Sequence, residues 1–207
     1  MAVSRASFVL TGLLVALAPV PASAEQGDRH HPRVPPVPAD IEAPAGHSVY
    51  LKGYAAGTQN FICAVTKTGT LDWAFIGPQA TLFLTANDRP VRQTMTHFLS
   101  QNPDEVETTL RPTWQDSGDS SAVWAIARQS SQDPAFVDPD AIPWLLLEVV
   151  GDRRGPTGGA GLTRTTFIQR LTTSGGKKPT TGCAVTNDIG AAKFVPYSAE
   201  YFFYRAD

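Results

Sequence analysis

His97 is the residue of this sequence best suited to acid–base work, because an imidazole titrates near neutrality and can also donate to a ligand. It closes the alternating run Val91, Gln93, Met95, His97, which reads as one face of a strand ending at a loop. A histidine sharing a face with Val91 and Met95 also fits a hydrogen-bonded core role, and that is the favoured reading. Asp116 and Asp119 bracket Ser117-Gly118. Paired carboxylates perform glycosidic acid–base chemistry, and His97 with either aspartate would make a hydrolase or isomerase centre. Aspartate is also a usual turn residue because its side chain caps local N–H groups, and here the turn is the stronger reading.

Four tryptophans, Trp73, Trp114, Trp124 and Trp144, could include a platform for stacking an apolar sugar face. Three of them fall in strand or apolar patterns and are expected in the core. Trp114 stands beside a turn and is the surface candidate. Arg170 could clamp a carboxylate, although a cross-strand ion pair or a solvated edge competes and is favoured. Tyr197 either offers its hydroxyl to a pocket or joins Tyr201 on a core face. The candidate ligand contacts are therefore His97, Trp114, Arg170 and Tyr197; no catalytic set is assigned.

Metal and cofactor signals are weak. The histidines His30, His31, His47 and His97 form no ligand cluster with metal-site spacing, so no metal site is expected. Gly158-Gly159-Ala160-Gly161 is glycine-rich without the G-x-G-x-x-G pattern, and Gly176-Lys177-Lys178 misses the phosphate-loop pattern. G-x-S-x-G is absent as well. No cofactor is expected.

The elements that must position these residues have a period of two. Val49–Tyr54 and Gln59–Val65 alternate around Ala55-Ala56-Gly57-Thr58, which reads as a hairpin turn. Leu71–Phe75 stops at Gly77-Pro78, and a short run follows at Ala80–Leu84. Val106–Gln115 and Ala122–Arg128 flank a second hairpin turn at residues 116–119. Pro143–Val150 is apolar on both faces, and Gly151–Gly161 holds five glycines and reads as a mobile loop. Leu162–Thr172 and Val195–Arg205 complete the series, the latter with Tyr197, Tyr201 and Phe203 on one face. Only Pro103–Glu107 and Asp133–Asp140 could hold short helices. Nine or ten strands at this spacing predict an all-β domain, an antiparallel sandwich or barrel, over residues 47–207.

Residues 1–24 read as a secretory signal: Arg5, the apolar run Phe8–Leu17, then Ala22-Ser23-Ala24. The apolar run is shorter than the ~20 residues a spanning helix needs, so stable membrane insertion is not expected and the destination is secreted or periplasmic. Residues 25–46 carry five prolines and form an extended lead-in. Cys63 and Cys183 are the sole cysteines, and in an oxidising compartment they pair as one disulfide closing a long loop. A net charge of -2 at pH 7 gives no electrostatic reason to expect nucleic acid.

Seven ordered segments carry a family resemblance: GYAAGTQNFIC (53–63), WAFIGPQA (73–80), PTWQ (112–115), IPWLLL (142–147), FIQR (167–170), TGC (181–183) and VPYSAEYFFY (195–204). Together they resemble the secreted domain-of-unknown-function family 3455 of bacteria and fungi, from about Pro35 to Tyr204. The resemblance implies a secreted domain and no particular reaction. Residues 99–111 separate the histidine motif from Pro112-Thr113-Trp114, which leaves open whether His97 and Trp114 meet. The resulting expectation is a binding module for a small molecule, glycan or surface partner. A structural or envelope-interaction role, or the histidine–aspartate enzyme, are the alternatives.

Overall fold

The computed structural model describes residues 32–86, 89–101 and 109–207. The secretory segment, His30, His31 and the helical option at Pro103–Glu107 lie outside these residues. The chain forms eight strands: β1 (His47–Val65), β2 (Leu71–Ala86), β3 (Arg89–Gln101), β4 (Leu110–Asp116), β5 (Ala122–Ser131), β6 (Trp144–Arg153), β7 (Phe167–Gly175) and β8 (Ala192–Ala206). Each is antiparallel to the next, and β8 returns to β1, so the sheet closes as an up-and-down barrel. The all-β expectation holds, with the barrel as its form. Among the described residues the helical content is two 3-10 turns, Ala39–Ile41 and Thr186–Asp188. Asp133–Asp140 forms turns rather than a helix.

Fewer strands form than the pattern predicts because two apparent breaks are strand interiors. Ala55-Ala56-Gly57-Thr58 does not turn; it pairs in unbroken register with Leu82 to Gln79 of β2 and with β8 on its other edge. Small residues permit the close approach there: a Cβ on Gly57 would lie 2.5 Å from the Ala80 Cα. Gly77-Pro78 likewise lies within β2. Ile76 is an extra residue opposite the Asn60/Phe61 step, a bulge that bends the strand. Gly77 takes φ +129° beside it, a conformation suited to glycine.

Alternation then sorts the side chains. Ala199, Tyr201 and Phe203 of β8 face the barrel interior, with Leu82, Met95, Val123, Leu147 and Ile168. Phe202 and Tyr204 face outward and form a second apolar layer with Trp144, Leu146 and Leu171. The proline-rich lead-in covers that layer: Ile41 is fully buried, and its carbonyl accepts the Gln169 amide at 2.6 Å. Gln169 in turn accepts the Tyr204 hydroxyl at 2.5 Å. A third, small cluster lies where β1 and β2 run past the barrel wall. Phe61, Cys63 and Trp73 pack there, and the Cys63–Cys183 disulfide fastens the segment preceding β8 to it, with Cα atoms 5.4 Å apart.

One end of the barrel is plugged. Leu162 is fully buried, held by its amide on the Ser121 hydroxyl at 3.1 Å. The glycine-rich run before it is not a loose loop. The Asp119 carboxylate accepts the Gly161 amide at 2.8 Å, and a Cβ on Gly159 would sit 2.4 Å from the Asp119 Cβ. Glycine is required because the β4–β5 turn presses on this backbone.

Candidate ligand-binding site

The opposite half of the interior is hollow. β3 and β4 pair His97 directly across from Trp114, and the two rings stack with centroids 4.2 Å apart and planes 10° from parallel. The intervening residues 99–111 therefore do not separate the two motifs. Tyr201 tilts against both rings, at 5.3 Å from His97 and 5.5 Å from Trp114. β7 contributes Arg170, which lies opposite Leu145 on one side and Tyr201 on the other. These side chains surround a cavity of about 330 Å³, whose remaining wall is apolar, formed by residues such as Leu99, Pro112, Leu145 and Leu147. Gln59 of β1 completes the polar set.

Three of the four expected ligand contacts, His97, Trp114 and Arg170, thus line one cavity. Tyr197 backs it: its Cβ and the Gln59 side chain close over Gly176, and its hydroxyl interacts with that of Tyr201. Two expectations about environment are corrected. Trp114 is completely buried rather than a surface platform, because the strand alternation that places His97 inside places its cross-strand partner inside too. Arg170 is not a solvated edge and pairs with no carboxylate among the described residues; its Nε and Nη2 both donate to the Pro143 carbonyl, at 3.2 and 2.8 Å.

His97 is a buried, hydrogen-bonded histidine. Its Nδ1 donates to the Thr113 carbonyl at 2.9 Å, which assigns the tautomer when the ring is neutral. Burial lowers its pKa to about 3; the Thr113 bond opposes this and the nearby Arg170 charge adds to it. The face it shares is not the expected one. Thr94 is an extra residue at the Leu82/Phe83 step and Val91 another at the Leu84/Thr85 step, so Met95 is fully buried while Val91 is exposed.

The aspartates are not assembled with it. Asp116 Oδ1 accepts the Gly118 and Asp119 amides at 2.7 and 2.9 Å. Asp119 holds the Ser121 and Gly161 amides, and bonds to Ser121 keep its carboxyl below the usual range. Both carboxylates work as turn caps, as the turn reading expects.

Among the described residues, Gln59 Nε2 and Trp114 Nε1 at this end are buried without a hydrogen-bond partner. The Tyr197 and Tyr201 hydroxyls make no well-formed hydrogen bond but interact with each other, and Tyr201 with Arg170. Burial raises the pKa of both tyrosines, so each remains a neutral hydroxyl. Sequence reasoning overlooked Gln59 and gave Tyr201 only a packing role. A polar residue in register with Ala55 and Gly57 on an inward face is the signal that marks Gln59, and it is hidden once those residues are read as a turn.

The family model for a protein of unknown function, DUF3455, matches residues 44–205, a span that contains every residue of this site. The chain belongs to the DUF3455 family. No curated protein and no solved structure matches it.

A second depression on the DUF3455 barrel, about 860 Å³, runs over the outside past Ile76, Phe98 and Phe194 and is broadly open. It shares Pro78, His97 and Leu99 with the lumen, but neither Gln59 nor Trp114 lines it, and the lumen is the better-built site. Among the described residues no group of three or more His, Cys, Asp or Glu side chains could hold a metal. No helix among them is long and apolar enough to cross a membrane.

Proposed function

We propose that this DUF3455 domain is a binding module that holds one small molecule in the hollow half of its barrel. The observation that carries this reading is a single cavity lined by Arg170, His97 and Tyr201 together with Gln59 and Trp114, whose buried Nε2 and Nε1 have no hydrogen-bond partner among the described residues. A buried donor or acceptor left unsatisfied costs about 1–3 kcal/mol, and such groups are normally paired. A set of them around one cavity is what a site for a polar ligand requires. Barrel geometry supports the reading: eight strands enclose either a filled interior or room for one small ligand. The cavity, about 330 Å³, lies at the lower end of the ~300–1,000 Å³ range of ligand sites.

The same proposal places the domain outside the cytoplasm. The Cys63–Cys183 disulfide persists in oxidising compartments, and the N-terminal residues carry a secretory pattern.

A thermal-shift panel of small organic acids, oligosaccharides and divalent metals on the purified protein tests the function. Ligand at about 100 times its Kd adds ~2.7 kcal/mol and raises the melting temperature visibly. The Ala127→Phe variant, which pushes a ring into the cavity from β5, is expected to lose the shift while keeping the β-sheet spectrum. A shift that survives in this variant overturns the lumen as the site. Silence across the whole panel overturns small-molecule binding and leaves a protein partner or an envelope role.

A further inference from the structure

We propose, resting on the lumen-binding reading above, that the ligand is a small monocarboxylate. Its charged end would meet Arg170, and its apolar body would lie along Leu99, Pro112, Leu145 and Leu147.

The charge argument comes first. Arg170 is partly buried and inward-facing on β7, lining the cavity, and a guanidinium is always charged. Among the described residues no carboxylate pairs with it; its local acceptor is the neutral Pro143 carbonyl. That carbonyl engages two of the five guanidinium N–H groups, and another neighbour, the Tyr201 hydroxyl, is neutral as well. A charge within a partly dry wall calls for a counter-ion, and none of the described residues supplies one.

The unpartnered groups point to the same chemistry. Trp114 Nε1 and Gln59 Nε2 can only donate, and the Tyr201 hydroxyl, which also lines the cavity, can donate. A carboxylate accepts at about four lone-pair sites and matches the planar fork of an arginine. His97, stacked on Trp114 and held neutral, brings no second positive charge. One cation fits one negative charge, which favours a monocarboxylate over a phosphate dianion. The largely apolar remainder of the wall selects against small inorganic anions.

Isothermal titration with hexanoate and benzoate, each beside its primary amide, and with inorganic phosphate separates the possibilities. The wild-type protein is expected to bind the carboxylates at least about 10-fold more tightly than the amides, and phosphate not at all. Arg170→Gln is expected to weaken carboxylate binding roughly 10- to 100-fold and leave the amides unchanged, since a hydrogen bond to a charged group is lost. Arg170→Lys keeps the charge and should retain the preference at reduced affinity. Equal binding of acid and amide, or carboxylate affinity unmoved by Arg170→Gln, overturns the anion assignment and leaves the lumen a site for neutral molecules. Binding of phosphate in place of the organic acids overturns it as well. If no probe binds, the lumen is merely hydrated toward this class, and the inference falls whatever the broader panel shows.

Discussion

The two halves of the barrel interior are built from the same strands to opposite ends. Toward the β4–β5 turn, Leu82, Met95, Val123, Leu162, Ile168 and Phe203 are buried and apolar. They have no polar atoms to satisfy, and Leu162 shuts that mouth. Toward the other end, the same β3, β4, β7 and β8 present His97, Trp114, Arg170 and Tyr201 around empty volume. Moving two residues along a strand keeps the face and changes the layer, so stability and recognition are separated by a single step. Met95 and His97 differ in nothing but that step. The packed half carries folding energy; the hollow half holds polar groups whose burial opposes folding.

This contrast is broken most severely by truncation in each half. Phe203→Ala in the packed half should cost about 3–5 kcal/mol, the usual loss for a fully buried phenylalanine. Leu99→Ala at the cavity wall should cost much less, on the order of 1 kcal/mol, because Leu99 is only partly buried and its atoms already face space. Urea denaturation of both variants measures the ratio. Comparable losses would mean that the cavity closes in solution and that the halves are alike.

An intermediate effect comes from pH. His97 has a pKa near 3 in the folded chain against about 6.5 when unfolded. Below pH 6.5 the unfolded state therefore binds a proton that the folded state refuses, and stability falls as pH drops toward 3. At pH 5 this amounts to about 2 kcal/mol relative to pH 8, taking 1.36 kcal/mol per unit over about 1.5 units. That window lies above the range where Asp72, Asp119 and Asp188, all with lowered pKa values, begin to protonate in the folded state. His97→Gln should remove the dependence between pH 8 and 5. A variant that keeps the full slope would assign the effect to another group.

Much of this division is legible in the sequence, and the places where it is not have physical causes. Regular alternation in Val195–Arg205 puts Tyr201 and Phe203 on one face, and the fold agrees. The lone cysteine pair is equally plain, and the structure joins it. Bulges defeat pattern reading: extra residues at Thr94 and at Val91 itself leave Val91 in solvent while Met95 is inside, and another at Ile76 lets β2 run through Gly77-Pro78. Small residues defeat it too, since Ala55–Thr58 looks like a turn and serves as a close-packed strand. Trp114 shows a third cause. Nearness to a turn in sequence suggests exposure, yet in a closed barrel the turn lies at the rim and the ring points into the lumen. Site residues are thus individually visible, whereas their convergence depends on closure between β8 and β1, which no local pattern encodes.

The smallest expected change in stability is the sharpest test of the contrast. Tyr201→Phe deletes a buried hydroxyl that makes no well-formed hydrogen bond, its polar neighbours being Tyr197 and Arg170, and leaves a ring of the same shape against His97 and Trp114. Because no good hydrogen bond is lost and a desolvated polar atom is removed, stability should stay within about 1 kcal/mol and move upward if at all. Ligand affinity should move the other way, since the hydroxyl is one of the donors available to a bound carboxylate. Thermal unfolding without ligand and titration with the tightest-binding organic acid give the two numbers on one variant. A loss of several kcal/mol would mean that the hydroxyl belongs to a hydrogen-bonded network of the free protein, and the hollow half would then be a polar core. Unchanged stability with weakened binding is the signature of a group retained for the ligand, at a position where a phenylalanine would serve folding equally well.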